Sequence, residues 1–201
     1  MAPSTPLVRP SEYFDRYDRP SMTVAFAVVG VQAVGTAVAM WLFLQRVIAH
    51  VDAPPQEKAQ VQSALGGAIV GTFVAIFVGW LLLAALLHLF VWFAGGQRSF
   101  GTTLAVTGEA EVAGIVLLPV TTVGLISLLG QAPSDPQAFV DFFERAASFS
   151  SPVLLVSSLV GALWKAAIQG YGLAVAHDLP AGKMLALAFG VGILGFLLNL
   201  V

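Results

Sequence analysis

The chain has 201 residues, of which 58% are hydrophobic and only 10% are Asp, Glu, Lys or Arg, where a soluble domain carries about 25% charged residues. That composition excludes a water-soluble globule, and a formal charge of -2 without a Lys/Arg cluster argues against nucleic acid as a partner. With no cysteine there is no disulfide, thiol nucleophile or thiolate metal site.

Crossing a hydrocarbon core about 30 Å thick takes around 20 helical residues, so the apolar content suffices for about four to six spans. The expected fold is all-α: a polytopic membrane protein, a bundle of five transmembrane helices with short interfacial helices. Residues 1–21 carry Arg9, Glu12, Asp15, Arg16, Asp18 and Arg19 among four prolines, which predicts a cytoplasmic N-terminal segment outside the bilayer. Within it Tyr13, Phe14 and Tyr17 share one helical face, the pattern of an interfacial anchor or of a docking peptide for a partner helix.

Residues 22–201 form the expected membrane domain. Its first apolar run covers 22–49, too long for a secretory core despite Ala37-Val38-Ala39, so an uncleaved span is expected. Further runs cover about 64–94, 102–129, 152–176 and 184–201. Between the third and fourth, Asp135 is a helix N-cap, Pro136 suits the first helical position, and Phe139, Phe142, Phe143 and Ala146 make a stripe that would rest on the outer leaflet. Arg9, Arg16, Arg19, Arg98 and Lys183 on one side outnumber Arg46, Lys58 and Arg145 on the other. The positive-inside rule then places the N-terminus in the cytoplasm and Val201 outside.

Ionisable groups inside spans are costly and each demands an account. At about 1.5 Å per residue from the inner end of each span, Glu109 and Glu111 lie at a depth of about 10–14 Å, Lys165 at about 16 Å, Gln169 at about 10 Å and Gln32 at about 15 Å, with His88 near the inner end. One polar cluster in the cytoplasmic half is expected, with Lys165 paired to Glu111 or Glu109. Such a cluster serves either as interhelical glue or as a proton or solute path. Gly35 and Ala39, Gly67 and Gly71, Ala166 and Gly170, and Gly190, Gly192 and Gly195 have the spacing for close helix contact within the bundle or across a homo-oligomer.

Catalysis and cofactors have no comparable support. His50, His88 and His177 fall on a loop, a span and a loop without metal-ligand spacing. In Gly96-Gln97-Arg98-Ser99-Phe100-Gly101-Thr102-Thr103, Thr102 stands where a phosphate loop needs Lys, so a tight cytoplasmic loop is the better account, with Gly95 and Gly96 ending one span and Ser99 and Thr102 capping the next. No GxSxG turn marks a hydrolase. Neither an enzyme nor a bound cofactor is expected.

Trp80, His88-Leu89 and the run from Gly95-Gly96-Gln97-Arg98-Ser99-Phe100 to Val106-Thr107-Gly108 resemble the Yip-one family of Rab/Ypt-interacting membrane proteins, in its prokaryotic branch. Trp164, Gly170-Tyr171-Gly172-Leu173 and Lys183-Met184-Leu185-Ala186 extend the likeness over roughly 64–201. Glu109 and Val112 stand where the family pattern commonly has an aromatic and a proline. The resemblance implies a non-enzymatic protein that organises membrane or binds a protein partner at its cytoplasmic face, as eukaryotic relatives bind Rab-type GTPases. The expected partners are therefore the lipid bilayer and a cytoplasmic protein.

Overall fold

A computed structural model describes residues 4–16, 20–96, 99–145 and 152–198. Eight helices follow one another among these residues: α1 (Pro10–Asp15), α2 (Met22–His50), α3 (Pro55–Phe93), α4 (Phe100–Glu109), α5 (Val112–Leu129), α6 (Pro136–Arg145), α7 (Pro152–His177) and α8 (Ala181–Leu198). Counting α4 and α5 as one interrupted span, five are long and apolar enough to cross a membrane. The chain is an all-helical integral membrane protein.

The helix ends follow from local chemistry. The Ser21 hydroxyl accepts from the Val24 N–H at 3.3 Å and caps α2, and Asp135 Oδ1 accepts from the Ala138 N–H at 2.9 Å at the start of α6. After α3, Gly95 takes a positive φ of 91°, the Gly95 N–H donates to Trp92 O at 3.0 Å, and the Gly96 N–H reaches back to Val91 O at 2.9 Å. This left-handed turn satisfies carbonyls that the helix end would otherwise orphan. Asp178, with φ 55°, ends α7 in the same way, because the Leu179 N–H donates to Ala174 O at 2.9 Å.

Three features differ from the apolar runs. Helix α3 begins at Pro55, well before the run at 64, because the polar residues Gln56, Glu57, Lys58 and Gln60 are good helix formers that prolong the span. The third span is interrupted at Ala110 and Glu111, where the Glu111 N–H turns to Gly108 O at 3.1 Å, three residues back instead of four. Helix α6 does not rest on lipid alone: the Phe143 ring lies 6.0 Å from Phe43 of α2 and Phe139 6.3 Å from His50, centroid to centroid. Ala146, the last residue of its stripe, lies outside the described residues.

Helices α7 and α8 make the most extensive contact, and α2 packs against α3, α4 and α5. Only some of the small residues serve these seams. A Cβ on Gly170 would stand 2.8 Å from Leu185 Cα, one on Gly192 3.2 Å from Ala166 Cβ, and one on Gly35 2.7 Å from a Leu118 methyl. Gly67, Gly71 and Gly190 instead face open space, since none of the described helices covers that side of α3 or of mid-α8.

The buried core is concentrated at the α1 end. Phe14, Leu87, Val91, Val106, Ile168, Leu173 and Met184 form one cluster, and Ala25, Val29, Trp80 and Ala105 a second beside it. Elsewhere Val70, Leu82, Val123 and Leu198 are exposed, as suits helices whose outer faces meet acyl chains rather than water.

Candidate functional site

The expected polar residues lie on α2, α3, the α4–α5 break and α7, yet their bonds sort them into three groups rather than one network. The first is built on Glu109, 3% exposed at the end of α4. Its Oε1 accepts from the Ser21 N–H at 3.1 Å, its carboxylate also takes a hydrogen bond from the Tyr13 side chain, and the Arg16 charge acts on it. All three partners belong to the segment before α2. That segment is held at two further points: the Trp164 indole N–H donates to Leu7 O at 2.8 Å, and Phe14, 1% exposed, sits where only a glycine fits. A Cβ on Gly172 would meet the Phe14 ring at 2.7 Å. The N-terminal segment is thus strapped across the end of its own bundle, onto α7 and α4, so the aromatic face of Tyr13 and Phe14 covers neither a free interface nor another protein's helix. Tyr17 lies outside the described residues.

The second group joins His88 to two residues that sequence reasoning left out. His88 Nδ1 lies 2.9 Å from Thr103 Oγ1, which lies 3.0 Å from His177 Nε2. His177 is the last residue of α7, not part of a loop, and His50 likewise closes α2. One hydroxyl can donate to one ring and accept from the other, so Thr103 ties α3, α4 and α7 together in an apolar setting. Next to it the Trp80 indole N–H donates both to Leu104 O and to Thr107 Oγ1 at 3.1 Å. Replacing Thr103 by valine is expected to cost about 1–3 kcal/mol, since the shape is kept while two buried rings lose their shared hydroxyl. Thermal denaturation in detergent, with Thr103→Ser retaining the melting point, checks this.

The third group is the ion pair of Lys165 Nζ with Glu111 Oε1. It joins the start of α5 to the middle of α7, with a cleft on each side. One, of about 270 Å³, is lined by Gln32, Glu111, Thr121, Ser157 and Lys165 among α2, α5 and α7. The other, of about 400 Å³, lies between α3 and α8 over α7 and holds Lys165, Gln169 and Ser158 with Leu83, Val191 and Phe196. Gln32 Nε2 approaches Thr36 Oγ1 at 3.5 Å. Gln32 Oε1 and Gln169 Nε2 are buried without a hydrogen-bond partner among the described residues.

The glycine-marked loop belongs to the α1 end. Gly96 is crowded by Val91 and by Leu179 of the turn after α7. Ser99 precedes α4 as its N-cap residue but makes no side-chain cap bond. Its hydroxyl lies 3.4 Å from that of Thr102 instead. Phe100, the first residue of α4, places its ring 5.5 Å from His88. Arg98 lies outside the described residues.

Sequence reasoning missed Thr103, His177, Tyr13 and Trp164 as bonding partners. A usable signal existed for the histidines, since His88 and His177 both lie close to the ends of their apolar runs that meet α1.

Comparison with known proteins is consistent with this architecture. The model of the Yip1 domain matches residues 6–201, strap included. An uncharacterized protein of Methanocaldococcus jannaschii is 24% identical over 110 residues, which cover 55% of this chain and 78% of that protein. No solved structure matches. With a family match over nearly the whole chain and five helices fit to cross a bilayer, the protein belongs to the Yip1 domain family of multi-pass membrane proteins.

Proposed function

We propose that the protein is a non-enzymatic membrane-organising scaffold that binds a protein partner at the face formed by α1, Gly95, Gly96 and the turn at Asp178. In this reading residues 1–21 lie in the cytoplasm, 22–201 form the membrane domain, and the C-terminus is outside. The observation that carries it is the strap. A six-residue helix tied at Leu7, Phe14 and Ser21 has little conformational freedom left to lose on binding, so it offers a pre-ordered surface. Glu109 is already committed to holding that strap and Glu111 to Lys165, which favours glue over a relay.

A second reading, a proton or solute carrier using Glu109, Glu111, Lys165 and His88, is favoured by one observation: Lys165 lines clefts on both its sides.

Glu109→Ala tests the scaffold. Losing the carboxylate leaves the Ser21 N–H and the Tyr13 hydroxyl without their acceptor, a loss of about 1–3 kcal/mol. The strap should then lift, read as faster proteolysis near α1. A photo-crosslinker at the exposed Glu12 should capture a protein in cells expressing the unaltered strap, and the yield should fall in Glu109→Ala. An unchanged yield, or equal capture from Gln62 at the other end of the bundle, would remove the strap from partner binding.

A further inference from the structure

We infer that the cleft between α3 and α8 is a binding site for an uncharged carbonyl-bearing molecule dissolved in the bilayer. The site is independent of the partner-binding face, since it lies deeper in the bundle and uses different residues.

The chemistry of the lining sets the ligand class. Gln169 is 3% exposed, lines this cleft, and its Nε2 has no hydrogen-bond partner among the described residues. A buried amide donor left unsatisfied is costly, and in a membrane no bulk water meets it. Lys165 supplies the second donor: an ammonium has three N–H groups and Glu111 takes one of them. Lys165 and Gln169 therefore bring unmatched N–H donors to the cleft, beside a Ser158 hydroxyl that can donate or accept, and an oxygen acceptor fits them. The charge of Lys165 is already matched by Glu111, so a carboxylate or phosphate would bring an uncompensated charge into a low-dielectric site, whereas a neutral carbonyl would not.

The walls fix the rest. Leu83, Val191 and Phe196 are apolar, and Gly192 and Gly195 leave the α8 side without bulk. At about 400 Å³ the volume falls within the range of about 300–1,000 Å³ usual for small-molecule sites built from apolar walls and a few placed polar groups. Contact between α3 and α8 is slight, so the gap between these two helices gives a route in from the side. The ester carbonyl of a glycerolipid and the ring carbonyl of a quinone share this chemistry.

Two variants and two probes test the site. In delipidated full-length protein, Gln169→Leu should raise the Tm, because it removes an unsatisfied donor at nearly constant volume. Adding dioleoylglycerol or decylubiquinone should raise the Tm of the unaltered protein and bind Gln169→Leu about tenfold more weakly. Gly195→Leu, where a Cβ meets open space, should keep the fold and block the cleft to both probes. A shift with dioleoylglycerol alone assigns a glycerolipid, and a shift with decylubiquinone alone assigns a quinone. If neither probe moves the Tm, or both variants respond as the unaltered protein does, the site does not exist.

Discussion

Glu111→Leu is expected to destabilise the protein by about 3–5 kcal/mol, the range observed when one partner of a shielded ion pair is removed. The side chains of Glu111 and Lys165 are 12% and 28% exposed, and both line clefts between the apolar helices. The lysine would be left without its counter-ion. Glu111→Leu with Lys165→Leu should recover most of the loss, because well-packed apolar residues often replace such a pair at no cost. Thermal denaturation of the three proteins in detergent gives the comparison, and a double variant no better than the single one would show that the pair is not the source of the effect. The same proteins decide between scaffold and carrier. A folded double variant in vesicles has no flux to lose if the pair is glue, whereas a carrier would lose a measurable proton or solute flux.

Gly170→Leu should produce the second large effect. Its Cβ would stand 2.8 Å from Leu185 Cα and 3.1 Å from Leu185 N. Backbone atoms cannot swing aside as a side-chain end can, so α8 must move away from α7 along the most extensive helix contact in the bundle. Overpacking of this kind costs about 1–3 kcal/mol and more where the neighbour is rigid. Gly71→Leu is the control: nothing lies within 4 Å of its Cβ, so stability should stay within about 0.5 kcal/mol. Denaturation midpoints in one detergent check both, and equal midpoints would contradict the packing described for α7 and α8.

The two glycines also show what the sequence discloses and what it hides. Hydropathy reveals the spans, because a run of apolar residues long enough to cross lipid has few alternatives. It does not reveal which side of a span faces a neighbour, and Gly71 and Gly170 look alike until α8 is seen against only one of them. The polar layer presents the same difficulty. Counting residues fixes height along a helix but not direction around it. A turn of about 100° per residue, together with the break at Ala110 and Glu111, sends Glu109 and Glu111 to different sides at similar depth. One holds Ser21 and Tyr13 and the other Lys165. The aromatic face of α1 was legible as amphipathic, but the notch at Gly172 that receives Phe14 exists only once α4 and α7 are side by side. Thr103 and His177 were hidden for a related reason: a bond between residues 74 positions apart leaves no periodic trace.

The length of α3 has a mechanical consequence. Its 39 residues extend about 58 Å at the rise of an α-helix, while a bilayer with its headgroups is about 40–45 Å thick. The surplus falls at the polar beginning of the helix, around Gln56, Glu57 and Lys58, on the side of the bundle away from the strap. Standing upright, the helix would exceed that thickness by about 13–18 Å, a rigid post whose tip a molecule would touch before it meets the lipid surface.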